Sequence, residues 1–424
     1  MTPPGAPDGT GTELEGLRAH RAQLARIFEP TDLAGAVLLE TLGPQALLRA
    51  VIASGSPPAS LRAAYREATE ILGGARAPDL DKRFAAWRSR LPVLPLGTEL
   101  RHARALGAWL VIPEDPDWPV ALDDLGLQRP VALWGRGDRR LLAGLERTAA
   151  VVGSRNASPY GASVTREIAT TLSGEGWCVV SGGAYGIDAQ AHRAALAAGT
   201  AQPPTVAVCA CGLDRFYPSG NAALLQEIAR RGLLLAEVPL GCSPTRYRFL
   251  QRNRLIAALS RLVVVTEAAW RSGALNTAHH AEALSRDVAA VPGDVLGGQS
   301  AGCHKLIREA HAVLVGNGAE VLELLGPLGN DATAQLGAVR DEAARRPEDG
   351  LEPRLLQLFD ALPLRADADP AHLCRVSGLS VGEVLAGLSA LRERGLAVDS
   401  LLGWRRVGSR HGRTAREGQG RAQP

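Results

Sequence analysis

Between residues 96 and 326 the chain repeats one grammar: a short, continuous apolar run, then a glycine-bearing turn, then an amphipathic helical stretch. The apolar runs lie at Trp109–Ile112, Ala149–Val152, Trp177–Val180, Val206–Ala210, Leu233–Val238, Leu262–Val265 and Val288–Val291. Helical patterns separate them at Tyr160–Ser173, Ile187–Ala198, Asn221–Ala229, Phe249–Leu259, Gly273–Leu284 and Gly302–Ala310. Strands apolar on both sides must be covered on both faces, and strands joined through helices run parallel. The pattern predicts an α/β fold with a doubly wound, mostly parallel sheet.

The flanks read differently. Residues 1–95 are helical, with apolar positions at helical spacing in Glu13–Phe28, Ala36–Ala53, Ser60–Leu72 and Asp81–Leu91, and a Leu-Gly-Pro-Gln corner at 42–45. Residues 327–350 lack a sustained apolar face and read as a linker. From 351 to 407 the order is helix (Leu351–Leu362), helix (Asp369–Ser377), a helix capped by Ser380 and ended by Gly395, then a hairpin turning at Gly403, which is the order of a winged helix. Residues 408–424 read as a disordered basic tail, with six arginines from Arg405 onward against Glu417 alone.

Composition closes several routes. The apolar runs are far too short to span a bilayer, and Met1–Thr12 carries no signal-peptide core, so a cytoplasmic location with no membrane contact is expected. Six cysteines without a C-x-x-C pair argue against a disulfide framework or a zinc site, and no metal or cofactor is expected. Of 47 basic residues only Lys82 and Lys305 are lysine, which is coding bias first, and a net charge of +3 gives no strong pull toward nucleic acid. Neither lysine follows a glycine, which excludes a P-loop; no G-x-G-x-x-G opens the first βα turn; no H-E-x-x-H occurs. His280-Ala281-Glu282 mimics a deaminase H-x-E but lacks its P-C-x-x-C partner.

What remains is a set of polar, glycine-rich turns at strand carboxyl ends: Gly153-Ser154-Arg155, Ser181-Gly182-Gly183-Ala184-Tyr185-Gly186, Cys211-Gly212 through Tyr217-Pro218, Glu267 to Thr277, and Val291-Pro292-Gly293-Asp294. In a doubly wound sheet these ends share one edge, where ligands bind. Glycine lets backbone N–H groups approach an anion, and Arg155 can fork onto phosphate oxygens. Any one of these glycines can equally serve only a tight turn. Tyr217 can stack on a base or cap a core, and Asn221 can cap a helix or meet a ligand. Arg252, Asn253 and Arg254 fall in the first turn of the Phe249–Leu259 pattern, where two arginines beside a positive helix end suggest an external anion; ion pairs to Glu237 or Glu267 are the alternative. Five turns with cations spread along them fit a ligand of several phosphates, such as single-stranded nucleic acid.

Read in order, Val-Gly-Ser-Arg (152–155), Ser-Gly-Gly-Ala-Tyr-Gly-Ile-Asp-Ala-Gln-Ala-His (181–192), Cys-Gly-Leu-Asp-Arg-Phe-Tyr-Pro (211–218) with Asn221, Arg-Asn-Arg-Leu-Ile-Ala (252–257), Thr-Glu-Ala (266–268), Ser-Gly-Ala-Leu-Asn-Thr-Ala (272–278) and Ala-Val-Pro-Gly (290–293) closely resemble the DprA/Smf family of DNA-processing proteins, over about 105–315. The resemblance implies an extended Rossmann-like core at 96–326 between a small helical (SAM-like) domain at 1–95 and the winged helix. It implies a non-enzymatic role in natural transformation and homologous recombination: binding and protecting incoming single-stranded DNA and loading RecA onto it, displacing single-strand-binding protein. The implied DNA-binding residues are Gly153, Ser154, Arg155, Ser181, Gly182, Gly212, Tyr217, Asn221, Arg252, Asn253 and Arg254. It implies a homodimer, and RecA contact, through about 300–326, with duplex DNA or another protein as a further partner for the winged helix. The chain departs from the family pattern at Leu250 (usually Pro), at Ser285-Arg286 (usually Gly-Arg), at Ala310-His311 (usually Gly-Ala) and in lacking a lysine near the pocket. The alternative from another class is a nucleotide N-glycosidic hydrolase of related architecture, for which Glu267 would be the general base, although Val291-Pro292-Gly293-Asp294 lacks the Pro-Gly-Gly loop of such enzymes.

Overall fold

The computed structural model describes residues 9–53, 55–71, 79–91, 95–326, 350–364, 366–400 and 402–407. Nearly all of the expected linker at 327–350, and the expected tail at 408–424, lie outside these residues. The chain divides into two compact units, Met1–Thr333 and Ala334–Pro424.

The first unit is built on one nine-stranded sheet, in the order β1-β2-β6-β5-β4-β3-β7-β8-β9. Its strands are β1 (Ala108–Val111), β2 (Leu133–Arg136), β3 (Thr148–Gly153), β4 (Cys178–Ser181), β5 (Thr205–Cys209), β6 (Leu233–Ala236), β7 (Leu262–Glu267), β8 (Asp287–Ala290) and β9 (Val313–Leu314). From β6 to β9 all pairings are parallel; β2 joins β6, and β1 joins β2, antiparallel. The sequence grammar anticipated seven of these strands. It missed β2, whose Gly135 lies opposite Trp109, where any side chain would strike the indole, and the two-residue β9.

Alternation along β3 shows how the sheet is covered. Ala150 and Val152 pack with Leu255, Leu259, Ala278 and Leu306 on one face, while Ala149 and Val151 pack with Ile168, Leu172, Ala191 and Val321 on the other. The helices supplying the first face are α9 (Arg246–Ala258), α10 (Gly273–Ala283) and α11 (Ala301–Arg308); those of the second are α6 (Pro159–Gly174), α7 (Ile187–Ala198) and α12 (Gly318–Leu325), with α8 (Ala222–Arg231) beside α7. Local chemistry sets their ends. Ser158 caps α6 through the Gly161 N–H with Pro159 in the first turn, Thr245 caps α9, Ser272 caps α10, and Gly199 ends α7 at φ +70°.

The N-terminal helices α1 (Gly9–Ile27), α2 (Leu33–Ile52), α3 (Ala59–Ile71), α4 (Leu80–Arg88) and α5 (Thr98–Ala105) belong to the same compact unit as the sheet. By length and composition α2, with a mean hydropathy of 1.3, could cross a membrane. Gly43, at φ +73°, breaks it before Pro44, and Val37, Leu38, Leu47, Leu48 and Val51 are buried around Leu24, Phe28, Phe84 and Trp87, so it is a core helix pair bent at the 42–45 corner. Ion pairs Arg21–Glu114, Arg18–Asp115 and Arg129–Glu40 tie this layer to the segments around β1 and β2.

In the second unit, α13 (Pro353–Ala361), α14 (Pro370–Ser377), α15 (Val381–Glu393) and the hairpin β10 (Ala397–Ser400)–β11 (Gly403–Arg406) follow the expected order. Ser380 and Glu383 close a capping box at the start of α15, and Gly378 ends α14 at φ +68°.

Candidate nucleic-acid interface

From β3 the chain winds outward through β4, β5 and β6 and then returns to lay β7 against the other side of β3. That reversal leaves a crevice at the carboxyl ends of β3 and β7, a cavity of about 510 Å³. It is walled by Gly153, Ser154 and Arg155 after β3, by Ala184 and Asp188 after β4, by Phe249, Arg252 and Asn253 of α9, and by Arg271 to Ala274 after β7.

The Gly-Ser-Arg turn is pinned from both sides. The Ser154 N–H donates to the Glu267 carbonyl (2.7 Å), and the Ser154 carbonyl accepts from the Ile187 N–H (3.0 Å). Glycine is required around it: a Cβ on Gly153 would press on that same Glu267 carbonyl and on Ile187, and Gly186, at φ +74°, lies against the backbone of Ser154 and Arg155. Arg155 thereby projects into solvent with its guanidinium 4.7 Å from the Phe249 ring centroid. Tyr217, 45% exposed, stands 6.0 Å from the same ring, and Arg252 5.8 Å from it.

Arg252 is the buried cation of the site. One of its nitrogens donates to the Val208 carbonyl, its Nε has no hydrogen-bond partner, and among the described residues it has no ion pair. Burial pulls its pKa down while the nearby Asp188 opposes that shift; burial likewise pushes Asp188 up, against Arg252 and the Ala184 N–H (3.3 Å). Gly182 lies under the Arg252 guanidinium, where a side chain would collide with it. Arg155 and Arg271 are exposed and likewise without an ion pair among the described residues.

Behind the wall runs a chain of neutral hydrogen bonds. The Gly183 N–H donates to His192 Nε2 (3.2 Å), His192 Nδ1 donates to Thr205 Oγ1 (2.7 Å), and that hydroxyl donates to the Val179 carbonyl (2.6 Å). Burial lowers the His192 pKa to about 3, so the ring is neutral, as this chain requires.

Of the remaining expected residues, Ser181, Gly212 and Asn221 do not line the crevice, and Asn253 does. Ser181 is buried and donates to the Val151 carbonyl (2.7 Å), and Gly212 is buried with its N–H on the Cys242 carbonyl (2.9 Å). The Asn221 side chain does not cap α8: its amide donates to the Gly183 and Ala184 carbonyls (3.1 and 3.0 Å), fastening the second glycine turn from behind. Asn253 lines the crevice, with its amide on the Gly273 carbonyl and Asn276.

Arg254 corrects the sequence reading. It is fully buried, forks onto Glu237 (2.8 and 2.6 Å) and donates to the Gln128 carbonyl (3.0 Å), so it is held as an internal ion pair and offers nothing to an outside anion. The premise also shifts, since α9 starts at Arg246 and both arginines lie well past its first turn. Of the five turns expected to line one edge, the one after β5 and Val291–Asp294 stay outside the cavity. Two residues not singled out beforehand, Asp188 and Phe249, join it, and Arg271 enters it from the expected turn after β7. A turn-by-turn search for glycine and arginine passes over an aspartate and an aromatic that lie inside helices.

Glu267 is buried, and its carboxylate accepts the Ser158 N–H at the start of α6 (2.9 Å) while a side chain on Gly161 would strike it. A carboxylate spent on a helix N-terminus is poorly placed as a general base.

The first turn of α9 is gripped by the α1–α2 corner. Arg248 forks onto Glu29 (3.1 and 2.9 Å), the Tyr247 hydroxyl donates to the Pro30 carbonyl (2.8 Å), and Thr31 donates to Gln251 (3.0 Å).

The match to known proteins covers this same region. Residues 109–326 fit the family model described as DNA recombination-mediator protein A, and the chain is 43% identical over 324 residues to a putative DNA processing protein DprA of Mycobacterium tuberculosis, across 74% of this chain and 80% of that protein. The chain belongs to the DprA/Smf family of DNA-processing proteins. It is 45% identical over 208 residues to DprA of Streptococcus pneumoniae, across 49% of this chain and 71% of that protein. The X-ray structure of the Streptococcus pneumoniae DprA superposes with a TM-score of 0.54 at 32% identity, covering 73% of this chain and 96% of that one. Ser285 and Ala310, where the resemblance led to an expectation of glycine, have positive φ values of 54° and 58°. The backbone turn is retained without the residue that makes it easy.

Proposed function

We propose that this protein binds single-stranded DNA through the crevice between β3 and β7, without covalent chemistry, and so protects incoming strands and presents them to the RecA recombinase in place of single-strand-binding protein. The observation that carries this reading is the convergence of Arg155, Arg252 and Arg271, none with an ion pair among the described residues, on a cavity beside Phe249 and the exposed Tyr217. Cations without internal partners serve phosphates, and aromatic faces accept any base, which is the requirement for binding without sequence preference. Self-association through 300–326 fits the reading, because β9 ends the sheet with Val313 and Leu314 about half exposed (52% and 51%). The crevice reading assigns no single-stranded DNA contact to the second unit: α15 exposes Val381, Gly382, Leu385, Ala386 and Ser389 along its first part, and Arg392, exposed near its end, is paired with Asp399 (3.5 Å).

Fluorescence anisotropy of labelled oligo-dT across a salt series tests the crevice. Wild type binds with a steep salt dependence and resists competition by duplex; Arg155→Ala and Arg271→Ala each weaken binding to every sequence alike and lower the slope by about 0.7. Wild type that prefers duplex, or matches both variants, overturns the assignment.

A further inference from the structure

We infer that Trp270, with Lys305 beside it, is a second contact point for single-stranded DNA, stacking a base where the strand leaves the crevice on the β7 side. The inference rests on the crevice reading and extends it beyond the cavity.

Trp270 lies between Ala269 and Arg271, both of which wall the crevice, yet it is itself 54% exposed. Its loop is held firmly. The Gly302 N–H donates to the Ala268 carbonyl (2.7 Å), a side chain at Gly302 would press on the Ala268 and Ala269 carbonyls, and the Ser272 N–H closes a turn onto Ala269 (3.0 Å). A large indole is therefore held about half in water by its backbone, with a ring face available to an external partner.

The charge beside it selects the partner. The Lys305 ammonium of α11 stands 5.5 Å from the ring centroid, and Glu309 touches it only at 3.8 Å. Indole plus cation suits a base with its phosphate.

The order of the sheet completes the argument. Along the carboxyl edge, Tyr217 follows β5, Arg155 follows β3, and Trp270 and Arg271 follow β7, with the strands arranged β5-β4-β3-β7. Three strand spacings separate the outer pair, about 14 Å, with the cations between two aromatic ends. A short extended strand laid across the edge meets an aromatic at each end and arginines along its middle.

The test uses the full chain with labelled dT4 and dT15. Trp270→Ala is expected to weaken dT15 about tenfold and to weaken dT4, whose extended length also spans the two aromatics, in the same direction, and Trp270→Phe to restore most of the loss. Tryptophan emission of wild type is quenched by dT15, and Trp270→Phe abolishes the quench. If wild type binds and Arg155→Ala weakens it, but Trp270→Ala equals wild type at both lengths and the quench survives in Trp270→Phe, the Trp270 contact is overturned and the crevice stands. If wild type binds neither oligonucleotide, the crevice reading falls first and this inference with it.

Discussion

The arginines of the crevice and those of the C-terminal hairpin differ in what stands opposite them. The two arginines of the hairpin each have an aspartate, Arg405 with Asp367 (3.4 Å) and Arg406 with Asp360 (3.0 Å) and stacked on Phe359, and the neighbouring Arg392 of α15 pairs with the hairpin's Asp399 (3.5 Å). In the crevice, Arg155, Arg252 and Arg271 have no such partner among the described residues. A guanidinium already satisfied by a carboxylate holds structure together; one left without an ion pair at a crevice is prepared for an anion from outside. Arginine count is therefore a poor guide to a DNA-binding surface, and its internal partners are a good one.

Arg254→Ala tests the paired class most severely. It leaves Glu237, whose side chain is 12% exposed, without its counter-ion, at a cost of about 3–5 kcal/mol in denaturant unfolding, with the salt slope of DNA binding unchanged in the protein that remains folded. A stable variant with a reduced slope would return Arg254 to the DNA site and break the comparison.

The crevice side is sharpened by pH. Unfolded His192 takes a proton below about 6.5, whereas the folded ring does so only near 3, so stability that is complete above pH 6.5 is lost as pH falls toward 3, by up to about 1.4 kcal/mol per unit. His192→Gln should lower stability at pH 7 and remove this component of the slope; parallel wild-type and variant curves would show that the ring is not held neutral.

The same contrast between residue type and surroundings applies to backbone. Ser285→Gly and Ala310→Gly relieve a positive φ and should each raise stability by about 0.5–1 kcal/mol, read as a higher denaturant midpoint at constant slope. The smallest effect belongs to the wing: Arg392→Ala, whose ion pair is half exposed on both sides, should change stability by less than about 0.5 kcal/mol and leave DNA affinity alone. Weaker DNA binding in that variant would place the hairpin in the interface after all.

Much of this was legible in the residues. Alternating apolar runs and glycine turns determine a parallel sheet, and the Ile187–Ala198 pattern is the span of α7, because Gly186 and Gly199 mark its ends. The lost strand β2 is a four-residue run with Gly135 inside it, paired antiparallel on both sides, and β9 is a two-residue edge strand; neither leaves a period to detect. The site was legible in outline and mistaken in phase. Arg252 and Arg254 are the same residue type two positions apart, and two helical steps turn a side chain by about 200°. One lines the crevice and the other faces Glu237, and the packing of α9 against its neighbours, not the residue type, fixes which.

The grip of the α1–α2 corner on α9 has a practical consequence for dissecting this protein. The helix that carries Phe249 and Arg252 into the crevice is fastened at its first turn by Glu29, Pro30 and Thr31, more than two hundred residues upstream. A truncation begun at residue 96, chosen because the sheet starts there, would keep every crevice residue and discard the clamp that aims two of them. Loss of binding in such a fragment would report a loosened helix and would say nothing about whether the removed segment touches DNA; the shortest chain suited to mapping the site begins ahead of Glu29.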